Sequence, residues 1–178
     1  MVFNYYNRLS ARNKRIYQAS DRIETILLPD SRSLRPAAMK LAAALKTDKR
    51  ALVEAVCREL AAGMLQQLKT PPVTLKVMAA RPSNDYGELH GYYEGVEGRL
   101  KVAKITLWMR TAQKKQVVAF KSFLRTFLHE LCHHLDYEYL KLEDSFHTQG
   151  FYKRESSLFH QLMEEPVATG FPAGRPAP

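Results

Sequence analysis

Residues 117–140 contain neither glycine nor proline, and this uninterrupted stretch constrains the fold more than any other part of the sequence. It predicts one long helix. At about 100° per residue, Val117, Phe120, Leu124, Phe127, Leu128, Leu131 and Leu135 fall on one face. His129 and His133 fall on the opposite face, about 40° apart and one turn from each other. Ser122 and Thr126 share that face and are small. One side of the helix is therefore expected in a core, with two imidazoles turned toward a cleft.

Those imidazoles open and close the run His129-Glu130-Leu131-Cys132-His133, an HExxH pattern. Imidazoles at i and i+4 can bind one tetrahedral zinc through their ring nitrogens. A zinc that hydrolyses needs three protein ligands and an open position for water. Glu130 lies beside the first histidine, turned partly toward the same side, where it can take a proton from a metal-bound water without being a ligand. In a chain with this His and Glu content, a chance HExxH is roughly a one-in-a-hundred event. A plain pair of surface histidines fits less well, because the pair stands opposite the apolar face.

The expected third ligand is His147, 14 positions beyond His133 and just after a turn expected at Glu143-Asp144-Ser145. Asp136, Glu143, Glu155 and His160 are its rivals. Asp136 falls one turn beyond His133 and is read as orienting it, with a solvated helix position as the alternative. His134 points away from the pair, and Cys132 reads as a small buried hydrophobe. Peptide hydrolysis also needs a donor for the developing oxyanion. Tyr137, Tyr152, Arg154 and His90 qualify by type, and nothing in the sequence chooses among them.

Around the long helix, residues 1–28 read as a polar, basic helical arm. Ser33 is a candidate cap for a helix reaching about Leu45. A further helix is expected from Asp48, as N-cap, to Lys69, with Leu52, Val56, Leu60, Met64 and Leu68 as its buried stripe and Pro71-Pro72 as its stop. Val73, Leu75 and Val77 alternate with Thr74 and Lys76, as in a half-buried strand. Tyr86 to Tyr93 and Leu100 to Trp108 are the next strand candidates, joined by a hairpin loop over 94–98, and the slip in alternation at Ala103-Lys104 allows a bulge there. A last helix is expected from about Thr148 to Glu164.

The fold class expected is α+β: N-terminal helices, a small mixed or antiparallel sheet, the long HExxH helix and a C-terminal helix. One domain is expected over 1–165, helical over 1–70 and carrying the sheet and site helices over 71–165. The Pro- and Gly-rich residues 166–178 are expected to be an unstructured tail. The two cysteines make no disulfide framework and are read as reduced. Without an apolar leader or a membrane-length apolar run, the chain is expected to be cytoplasmic, with no membrane partner. The net charge of +9 is spread along the chain and permits an acidic partner such as DNA.

The stretch from Ile105 to Phe151 resembles the SprT-like metallopeptidases, the Spartan and Wss1-type proteases among them. The matching pieces are Ile105-Thr106-Leu107, then Phe127-Leu128-His129-Glu130-Leu131-Cys132-His133, then His147-Thr148-Gln149-Gly150-Phe151. The family's zincin-type core combines an edge strand, a helix bearing HExxH and a third His followed by an aromatic four residues on. The glycine here is shifted, and no CxxC pair of a zinc ribbon is present. The resemblance implies one zinc per chain held by His129, His133 and His147, with Glu130 as catalytic base. It also implies a protein or peptide substrate, including protein attached to DNA. If the strand ending at Trp108 forms the cleft edge, an extended peptide would pair with it.

Overall fold

The computed structural model describes residues 3–84, 87–96 and 101–163. The fold is α+β: the described residues form five α-helices, a small three-stranded mixed sheet and a two-stranded ladder. A short 3-10 helix, Asn4–Arg8, leads into α1 (Ala11–Asp21), α2 (Ser31–Lys46) and α3 (Arg50–Gln67). The strands are β1 (Thr74–Ala80), β2 (Ser83–Asn84), β3 (Gly87–Glu88), β4 (Gly91–Glu94) and β5 (Lys104–Arg110). Helices α4 (Phe120–Glu138) and α5 (Gln149–Met163) complete the order. No helix among the described residues is long and apolar enough to cross a membrane. The expected tail at 166–178 and part of the expected hairpin loop lie outside the described residues.

The first segment is not a free arm. Tyr17 and Ser20 of α1 are buried, and α1 packs against α5. The cap of α2 is Asp30 and not Ser33: the Asp30 carboxylate accepts from Ser33 N–H at 3.2 Å. Asp48 is not the cap of α3 either. It takes a left-handed φ of 56° in the turn from α2, and its carboxylate receives Arg110 at 2.6 and 3.0 Å. Helix α3 starts two residues later. Val56, Leu60, Met64 and Leu68 are buried as expected, together with Val53, Cys57, Ala61 and Leu65, whereas Leu52 is exposed. The buried stripe is wider than a strict four-residue repeat because α3 meets both α2 and β1.

In the sheet the strand order is β1-β5-β4, with β1 parallel and β4 antiparallel to β5. The strand that carries Ile105-Thr106-Leu107 is therefore central, and the edge beside it is β4. This corrects the expectation that Ile105–Trp108 forms the cleft edge. Pairing of β4 with β5 runs in unbroken register from Gly91↔Leu107 to Glu94↔Lys104, where β5 begins. Leu75 and Val77 stand opposite Ile105 and Leu107, and all four side chains are buried on one face. The same alternation turns Gly91 and Tyr93 of β4 to that face and leaves Tyr92 exposed.

Helices cover that face in one continuous core. Phe123, Leu124, Phe127, Leu128, Leu131 and Leu135 of α4 are fully buried in it. Val117 precedes the helix, bridging to Arg110, and it packs with Phe120 at the core margin. The omission of Phe123 from the expected apolar face has a simple cause. Helix α4 touches β4, β5, α5 and α2, so its buried arc exceeds one stripe.

Candidate metal centre

Helix α4 supplies two imidazoles, and the loop leading into α5 supplies the third. His129 Nε2 lies 3.0 Å from His147 Nε2, which lies 3.1 Å from His133 Nε2. The three residues form a group whose ligand atoms all lie within 4.8 Å of one another. Beneath them the buried ring of Phe151 packs at centroid distances of 5.0, 4.8 and 5.2 Å from His129, His133 and His147. Tyr93 of β4 stacks on His133 from the sheet side at 6.2 Å. His147 remains exposed, so the centre is open to solvent on that flank.

The outward ring nitrogens have partners that set the tautomers. The Nδ1–H of His129 donates to Glu155 Oε2 at 3.1 Å. Nδ1 of His133 lies 2.7 Å from Ser145 Oγ, whose hydroxyl is also 2.8 Å from Asp136 Oδ2. Burial, then the neighbouring His129, His147 and Arg154, hold His133 down at about 3, so it is neutral near pH 7. Burial, then His129, also lowers His147, against the opposing pull of Glu155.

These residues fit a metal ion. Imidazole nitrogens converging at about 3 Å need either a shared proton or a cation between them, and three that converge on one point suit a cation. Metal–nitrogen bonds of about 2.0–2.1 Å around a tetrahedral centre separate the ligand nitrogens by about 3.3 Å, close to the 3.0 and 3.1 Å from His147 to its two partners. Three protein donors with one flank open leave room for a water or a substrate oxygen.

Glu130 is beside this centre and is not one of its three convergent donors. Its carboxylate is buried, receives a backbone hydrogen bond from Tyr93 and lies against Gly91. A Cβ at Gly91 would stand 2.5 Å from Glu130 Oε1, so only glycine lets β4 come this close. Burial raises Glu130 to about 7, although His129 and the Tyr93 hydrogen bond pull the other way. A cleft of about 360 Å³ runs past Glu130, His129, Thr126, Arg125, His90 and Glu155.

The structure sorts the rivals. Asp136 is buried and reaches His133 through Ser145, while Glu155 reaches His129 directly. Glu143 pairs with Arg12 and His160 is exposed on α5. His134 is spent elsewhere: its Nε2–H donates to the Pro71 carbonyl at 2.9 Å, and Nδ1 faces the Tyr93 hydroxyl at 3.3 Å. Cys132 is buried and burial pushes its thiol up, so it offers no thiolate. Among the oxyanion candidates Arg154 is excluded, because it is fully buried against Asp136, Ser20 and Ile23. Tyr137 donates to Asp144, Tyr152 stacks on His147 at 5.9 Å, and His90 lines the cleft.

Sequence reasoning did not single out Gly91, Tyr93 or Ser145. A glycine in a strand signals close backbone approach, and Gly91 carried that signal. Ser145 carried none, since its role depends on how the loop before His147 folds back on α4. Compared with protein-family models, with curated proteins and with solved structures, the chain matches none.

Proposed function

We propose that the chain is a zinc-dependent peptidase with a zincin-like core of the SprT type. The observation that carries this reading is the pairing of three convergent imidazole nitrogens with a separate, buried carboxylate on the helix that bears two of them. Three nitrogen donors and an open flank suit zinc. When bound, zinc supplies Lewis acidity, lowering the pKa of water to about 7 and polarising a carbonyl.

Glu130 takes a proton from the attacking water and later gives it to the leaving amine. A group that both takes and gives a proton works best with its own affinity near the working pH. Glu155 and Ser145 keep His129 and His133 turned inward. Gly91 and the backbone of Tyr93 hold Glu130 in place from the sheet. Because β4 is the sheet edge nearest the centre, an extended peptide adding there would lie alongside the cleft. The net charge of +9 supports DNA-associated protein as one source of substrate.

The test is Glu130→Gln in the zinc-loaded protein, assayed on a fluorescently labelled unfolded protein. Loss of about 10²–10⁴-fold in hydrolysis is expected, with zinc content unchanged. Hydrolysis at the wild-type rate by this variant would contradict the assignment of Glu130.

A further inference from the structure

The loop between α4 and α5 brings His147 to the centre, and two residues earlier it places Ser145 behind His133. The Ser145 hydroxyl has one proton and two close neighbours, Asp136 Oδ2 at 2.8 Å and His133 Nδ1 at 2.7 Å. Asp136 is fully buried, and Arg154, also fully buried, donates to both its oxygens at 2.8 and 3.1 Å. The guanidinium cannot lose its charge, and among the described residues Asp136 is the acidic side chain it pairs with. Asp136 is therefore a carboxylate, which only accepts. The Ser145 proton points to Asp136, and the serine oxygen must accept from His133. His133 is thereby held as the Nδ1–H tautomer, with the Nε2 lone pair directed at His129 and His147.

We infer that Ser145 is a positioning residue of the metal centre, transmitting the acceptor character of the buried Asp136–Arg154 pair to His133. The inference rests on the reading of the three imidazoles as a metal site. The relay differs from the partner of His129, where the Glu155 carboxylate accepts directly. It also reaches the N-terminal segment. Arg154 Nη1 donates to the carbonyls of Ser20 and Ile23 at 2.7 and 2.6 Å, and Nη2 donates to Ser20 Oγ at 3.0 Å. The orientation of one ligand is thus tied to the end of α1, more than a hundred residues away in sequence.

The test uses the full chain and two variants, Ser145→Ala and Ser145→Thr. In the metal-free protein, ¹⁵N imidazole shifts report the tautomer of His133. Competition with a chromophoric chelator reports zinc affinity. Wild type is expected to show the Nδ1–H form. Ser145→Ala is expected to lose that preference and to bind zinc about 10–100-fold more weakly, with its circular dichroism unchanged. Ser145→Thr, which keeps the hydroxyl, is expected to restore both. Wild-type tautomer and affinity in Ser145→Ala would overturn the inference. So would equal losses in the two variants, which would assign the effect to loop packing. If wild type binds no zinc, the metal reading fails, and the tautomer spectra still decide what Ser145 does.

Discussion

Glu130 depends on a residue with no side chain. The edge strand passes so close to α4 that Gly91 touches the carboxylate, and the next inward-facing residue, Tyr93, gives it a backbone hydrogen bond. Gly91→Ala would force the carboxylate or the strand to move by several tenths of an ångström. None of the three histidines need move with it. Hydrolysis is expected to fall at least tenfold while zinc content stays at the wild-type level, as read by paired activity and metal assays. Equal rates in the two proteins would show that β4 yields without cost. At this scale the sequence was legible where spacing alone sufficed. His129 and His133 stand one turn apart on any helix, and His147 lay within reach of them. Gly91 carried only the general signal of a strand glycine and Ser145 none, because each acts through a partner on another element.

Helix α5 joins the centre to the rest of the fold. It carries Phe151 under the three imidazoles, Glu155 behind His129 and Arg154 against Asp136. The Asp136–Arg154 pair is fully buried, so removing one partner leaves an uncompensated charge. Arg154→Met is expected to lose about 3–5 kcal/mol in urea unfolding. The double variant Asp136→Asn with Arg154→Met is expected to be less destabilised than Arg154→Met alone, since both charges are then gone. A loss below 1 kcal/mol in the single variant would mean the pair contributes little. The helices were largely legible as elements, because their periodicity and the Pro71-Pro72 stop are local signals. The strand order was not. Alternation tells which face a residue takes but says nothing about which strand lies beside it, so β5 was expected at the edge that β4 occupies. The cap expected at Asp48 failed for a similar reason. Arg110, distant in sequence, takes that carboxylate.

Across the whole molecule, the N-terminal segment closes over the loop that brings His147 to the centre. The Tyr5 hydroxyl donates to the His147 carbonyl at 2.8 Å, Phe3 packs on Tyr152, Tyr17 on Phe146, and Arg12 pairs with Glu143. Gly150 fits tightly beneath this layer, where a Cβ would meet the Ser20 carbonyl at 2.7 Å. The third ligand is therefore fastened by residues from the opposite end of the chain, which no reading of residues 117–151 alone could reveal. Distant segments of the chain thus converge on the three imidazoles. The most direct test of the centre they form is the metal content of the purified full chain, prepared without a metal-binding affinity tag. About one zinc per chain is expected, falling sharply in His147→Ala. A chain that retains no metal after incubation with zinc and dialysis would contradict the account.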